Sequence, residues 1–230
     1  MTKGLWGRTL ARVFAGVIGL GASAVAMAAD LSPAVVKAPV APVVSEPSPW
    51  MIRLRALGVL PSGGGSVNGV WGSDLSYSDS VVPELDITYF FTKNIAAELI
   101  LGVTPHNIYG AGTLGGLSVG KTWLLPPILT LQYHFTDFGP FKPYVGAGVN
   151  YTVFFNTKTY DVQSLDVKNS FGWALQAGFD YMIDRHWGVN VDVKKLFLQP
   201  DFTVGVGNAV LSGTADLNPW LVAAGVTYRF

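Results

Sequence analysis

Trp220-Leu221-Val222-Ala223-Ala224-Gly225-Val226-Thr227-Tyr228-Arg229-Phe230 alternates large apolar residues with others along its whole length. Successive strand side chains point to opposite sides, so Trp220, Val222, Ala224, Val226, Tyr228 and Phe230 share one face. Leu221, Ala223, Gly225, Thr227 and Arg229 share the other. With its aromatics outside and its arginine within, such a strand is inverted for water and correct for lipid.

Composition agrees. Half of the 230 residues are hydrophobic and 13% are charged, about half the charged share of soluble domains. Beyond the N-terminal stretch, no apolar run approaches the roughly 20 residues a membrane helix needs. With no cysteine, disulfide scaffolds, thiolate metal sites and thiol nucleophiles are excluded.

Lys3, Arg8 and Arg12 precede the apolar stretch Val13 to Val25 and the small-x-small triplet Ala26-Met27-Ala28. Residues 1–28 are therefore expected to be a signal peptide cleaved after Ala28. Its removal leaves 12 basic against 15 acidic residues, a net charge near −3 with no basic excess for nucleic acid. Residues 29–49 carry Pro33, Pro39, Pro42, Pro47 and Pro49 and are expected to form an extended periplasmic linker. The barrel is expected over 50–230.

A period-two reading gives eight segments: 50–60, 80–91, 94–104, 122–135, 142–155, 170–183, 187–198 and 219–230. Long connections alternate with short ones such as Thr92-Lys93 and Asp184-Arg185-His186. This rhythm predicts an all-β fold: an eight-stranded antiparallel transmembrane β-barrel with long extracellular loops and short periplasmic turns. The complementary faces hold Arg53, Arg55, Glu84, Asp86, Glu98, Asp180, Asp192, Lys194 and Arg229, and the lipid faces almost no charge. Because an ion at the bilayer midplane costs several kcal/mol, the charged face must be inward. Lys195 is the exception, placed where it can snorkel to the interface.

So narrow a barrel holds side chains or one small ligand, not a wide channel. Placing its N-terminus in the periplasm sorts the inward residues by depth. Arg53, Arg55, Glu84, Asp86, Glu98, His134, Asp180, Asp192, Lys194 and Arg229 fall toward the middle and periplasmic end, and are expected to pair into a polar plug. Leu57, Val59, Val82, Leu124, Pro126, Ile128, Phe154, Leu196 and Leu221 fall toward the outside. They form either an apolar pocket for small hydrophobic molecules or simply the filling of a narrow core.

Several stretches resemble the OmpW family: Trp50-Met51-Ile52-Arg53-Leu54-Arg55, Leu125-Pro126-Pro127, Leu131 to Phe135, Pro143 to Thr152, Asn190 to Lys194 and Gly225 to Phe230. The resemblance implies a monomeric outer-membrane barrel that carries small hydrophobic molecules through a narrow apolar channel with a lateral exit. It also supports Tyr228 and Phe230 as the signal read by the barrel-assembly machinery. The other partners expected are outer-membrane lipids, lipopolysaccharide and small hydrophobic ligands.

Gly63-Gly64-Gly65 and Gly110-Ala111-Gly112 read as flexible loops, since neither follows a strand and opens a helix as a phosphate cradle would. His106, His134 and His186, in a loop, a strand and a turn, share no metal-ligand spacing, so no metal or other cofactor is expected. A lipid A-modifying enzyme would need a histidine beside an inward serine or a carboxylate at the membrane boundary; no catalytic residue is assigned. A structural or surface-recognition barrel, contacting other cells, phage or bacteriocins through its long loops, is the alternative to transport.

Overall fold

The computed structural model describes residues 48–230. The expected signal peptide and nearly all of the expected linker lie outside these residues. The strands in chain order are β1 (Trp50–Leu60), β2 (Gly65–Val67), β3 (Ser73–Tyr77), β4 (Ser80–Phe90) and β5 (Ile95–Gly102). There follow β6 (Thr104–Gly112), β7 (Ser118–Leu125), β8 (Ile128–His134), β9 (Phe141–Thr159) and β10 (Ser164–Val167). The last are β11 (Ser170–Met182), β12 (Trp187–Phe197), β13 (Asp201–Val206), β14 (Ala209–Ala215) and β15 (Trp220–Arg229).

Eight staves close a barrel in the order β1, β4, β5, β8, β9, β11, β12, β15. Closure joins first to last, with Met51 opposite Arg229 and Leu60 opposite Trp220. Closing the sheet satisfies the backbone groups that an open edge would present to hydrocarbon. Two of the three periplasmic turns are fixed by side-chain acceptors. Thr92 Oγ1 accepts the N–H groups of Asn94 and Ile95 at 3.2 and 3.0 Å. Asp184 Oδ1 accepts those of His186 and Trp187, each at 2.7 Å, which holds its carboxyl below the usual range.

Alternation along each stave inverts the arrangement of a soluble domain. Leu54 is 56% exposed while its neighbours Arg53 and Arg55 are 0% and 2% exposed. Trp50 stacks edge-on against Tyr89, and Tyr228 against both Trp187 and Phe230, in an outward aromatic belt at the periplasmic end. Trp123, Phe155, Trp173, Phe197 and Trp220 mark the other end. Lys195 reaches the Ser62 hydroxyl at 3.0 Å and the Asn218 carbonyl, with its ammonium 5.0 Å from the Trp220 ring centre.

Several expectations about the outer half are corrected by the structure. The third stave does not end near 104: β6 continues β5 to Gly112, and β9 runs on to Thr159. The fourth begins at Ser118, not 122, and is broken at Pro126-Pro127. Gly110-Ala111-Gly112 is not a loop, because Gly110 and Gly112 pair with Leu75 and Ser73 in the β3–β6 ladder, whereas Gly63 and Gly64 do lie in the connection before β2. Gly65 opens β2, where a β-carbon would lie 2.9 Å from the Thr214 backbone carbonyl, so close approach requires the glycine. The β10-β13-β14-β2 sheet and the β3–β6 pair thus build a folded extension above the bilayer. His106 belongs to β6 rather than to a loop.

Candidate functional site

The inward side chains form three strata. In the middle, the Arg53 guanidinium meets Asp180 through two bonds (Nε–Oδ1 3.0 Å, Nη2–Oδ2 2.7 Å), Glu98 Oε1 at 2.8 Å and Thr88 Oγ1 at 3.1 Å. Arg55 Nη2 lies 2.7 Å from Glu84 Oε1 and 2.6 Å from Asp86 Oδ2. Lys194 Nζ lies 2.6 Å from Asp192 Oδ1 and 3.4 Å from Glu84 Oε1. Three cations thus face five carboxylates, all almost wholly buried.

Neutral groups complete the stratum. Gln176 Nε2 donates to Glu98 Oε2 at 3.1 Å and Asp192 Oδ2 at 2.8 Å, while Gln132 Nε2 donates to Glu98 Oε2. Asn190 accepts from Arg55 and donates to Asp180, and Thr227 Oγ1 donates to Asp180 at 2.7 Å. Tyr144 OH donates to Asp192 at 2.8 Å. Each extra bond offsets part of the large cost of removing an ion from water. Tyr144 had no place in the sequence-derived site. Its signal was its inward parity, one residue before the outward Val145.

Below lies an apolar and aromatic floor of Met51, Phe90 and Ala96, with the His134 ring 4.8 Å from Phe90 and 4.9 Å from Tyr144. His134 joins the stratum above through Gln132 Oε1, 2.9 Å from its Nε2. Arg229 departs from expectation. It forms no ion pair with a described residue, but sits half-buried over the Phe90 ring at 4.2 Å and donates to the Ser48 carbonyl at 3.2 Å. Its position near the stave's end leaves it too low to reach the carboxylates.

Above the ions, Leu57, Val59, Leu124, Ile128, Leu196 and Leu221 join one buried apolar cluster, against which Phe154 packs. These seven line an apolar cavity. The extension supplies the rest of the wall, including Leu75, Ile108, Val119, Val162, Phe202 and Val204. Sequence reading missed these residues, although Phe202-Thr203-Val204 alternates as a strand does. Among the described residues Glu84 is the only charged one of the lining, at its base; Tyr77, Thr104, His106 and Thr122 carry its other polar side-chain groups. His106 Nδ1 lies 2.7 Å from the Ser78 carbonyl and Nε2 3.2 Å from Thr104 Oγ1. Burial keeps its imidazole below the ordinary pKa of 6.5.

The wall beside the cavity is incomplete. The ladder between the third and fourth staves runs from Ile95–Tyr133 to Ile100–Ile128 and resumes at Thr104–Leu124. Between those pairs lie Leu101, Gly102 and Val103 on one side and Leu125, Pro126 and Pro127 on the other. Proline has no N–H to donate, and the Pro127 carbonyl turns the other way, accepting from Tyr151 N at 3.3 Å and Asn150 Nδ2 at 3.1 Å. Gly102 and Pro126 both line the cavity at this gap.

A closed eight-stranded barrel, greasy outside and charged within, defines an outer-membrane β-barrel protein seated in the lipid bilayer. Residues 50–230 match the OmpW family, and the chain belongs to that family. The chain is 61% identical to the outer-membrane protein y4mB of Sinorhizobium fredii over 198 residues, 84% of this chain and 86% of that protein. It is 32% identical to the dibenzothiophene metabolism operon protein PahQ of Pseudomonas aeruginosa over 194 residues, 82% of this chain and 92% of that one. The crystal structure of the outer membrane protein OprG from Pseudomonas aeruginosa superposes with a TM-score of 0.74 at 26% identity, covering 80% of this chain and 97% of that one.

Proposed function

We propose that this protein carries small hydrophobic molecules into the outer membrane, with Leu57, Val59, Leu124, Ile128, Phe154, Leu196 and Leu221 as the binding surface. The supporting observation is the juxtaposition of an outward-open apolar cavity with a fully buried ionic stratum beneath it. An apolar solute gains by leaving water for the cavity, about 25 cal/mol for each Å² covered. Moving further down would part ion pairs in a medium that cannot solvate them. The polar plug therefore acts as a barrier, and the solute leaves through the gap at Pro126-Pro127 into the lipid. No step needs a catalytic group or a cofactor. The name of PahQ, tied to the metabolism of a polycyclic apolar compound, is in keeping with this reading.

The protein acts as a monomer in this account, because each barrel holds its own cavity and gap. Reconstituted vesicles enclosing an enzyme that consumes naphthalene test the proposal. Leu57→Arg, which places a cation in the apolar wall, is expected to bring product formation to the protein-free rate; an unchanged rate overturns it.

A further inference from the structure

We propose that the outer wall of the barrel carries a binding site for the phosphate of a glycolipid headgroup in the outer leaflet, formed by Lys121, Lys158 and Asn107. Lys121 on β7 stands directly opposite Lys158 on β9, and opposite Asn107 on β6 at its other side. Directly opposed residues of an antiparallel pair share a face, with β-carbons about 5 Å apart. That face is outward, because the Lys121 ammonium lies 5.5 Å from the ring centre of Trp123, one of the lipid-facing aromatics.

Like charges directly opposed weaken a sheet unless something neutralises them. Among the described residues, neither lysine forms an ion pair. Lys195 differs, since its ammonium is already held by the Ser62 hydroxyl.

Height selects the occupant. The next pairs below on the same face are Trp123 with Pro105 and, past an irregularity in the β7–β9 ladder, Trp123 with Phe155, a belt at the level where hydrocarbon gives way to headgroups. A row of two ammonium groups and an amide just above that belt meets the depth at which lipid phosphates lie, where each lysine strengthens attraction to an anionic surface. Acyl chains of the same molecule would lie along Trp123, Phe155 and the aliphatic residues beneath them. A soluble anion would gain no such contact.

The test uses the full chain, folded into nanodiscs of phosphatidylcholine containing a minor fraction of lipid A, either bisphosphorylated or fully dephosphorylated. Lipid A retained per folded barrel is counted by native mass spectrometry. The expected result is enrichment of the phosphorylated form alone, falling about tenfold in Lys121→Gln with Lys158→Gln. Removing the same charge at Lys93 and Arg185, in periplasmic turns, leaves it unchanged. Lys158→Glu separates binding from folding: by pairing with Lys121 it is expected to raise thermal stability without lipid A while abolishing retention. Equal retention of the two lipid A forms, equal retention by wild type and the double glutamine variant, or displacement of lipid A by millimolar inorganic phosphate would each overturn the proposal.

Discussion

Arg53 and Asp180, 127 residues apart in the chain, are joined face to face by two hydrogen bonds in the middle of the barrel, at 3.0 and 2.7 Å. The pair spans from β1 to β11, and Thr227 of β15 donates a further bond to the same carboxylate. Asp180→Ala removes the two-bond acceptor of Arg53 and leaves its buried charge with Glu98 as its remaining carboxylate partner. The expected cost is about 3 kcal/mol, read from urea unfolding in lipid vesicles. A loss below about 1 kcal/mol, the range of an exposed ion pair, would show that water reaches this stratum.

His106 gives the extracellular extension a pH dependence of definite sign. The folded chain holds the ring neutral, so its pKa lies below 6.5 because burial outweighs the Ser78 carbonyl and Asp79, which favour the charge. As pH falls below 6.5 the unfolded chain takes up the proton first; stability is therefore full above that value and is lost as pH falls toward the folded pKa. Between about pH 7.5 and 5 the thermal midpoint should fall more steeply in wild type than in His106→Gln. Equal slopes, or a His106 proton resonance titrating above 6.5, would refute this.

Pro126-Pro127 controls the side exit if the missing ladder is the way out. Pro126→Ala with Pro127→Thr restores two backbone N–H groups, of which that of residue 126 can face Leu101 to Val103 while that of residue 127 faces β9. Naphthalene should still bind in the cavity, while its delivery into vesicles drops several-fold. If delivery and binding fall together, the prolines shape the pocket and not the exit.

The barrel was legible from the sequence because lipid and lumen impose opposite demands on alternate residues. Arg53, Leu54 and Arg55 state both within three positions. The apolar wall from Leu57 to Leu221 follows from the same parity and from depth along the staves. The extension was less legible: several of its strands are only three to seven residues long, and Gly110-Ala111-Gly112 has no large side chain to show its parity. Only the pairing of β3 with β6 fixes it. Parity gave Arg229 its inward face but not its height, and height separates it from the carboxylates and sets it over Phe90. The missing wall followed from composition only in part, since Pro126-Pro127 marks a break but not which neighbouring strand loses its partner.

The most direct test of the central claim, that an apolar solute rests in the outer cavity and is stopped by the ions beneath it, is anomalous diffraction from crystals soaked in a bromoalkane. A bromine peak is expected among Leu57, Ile100, Leu124, Ile128 and Leu221, which line the cavity above the ionic stratum. A peak below Arg55, beside Met51 and Phe90, or no peak in the cavity at a saturating soak, would contradict that claim.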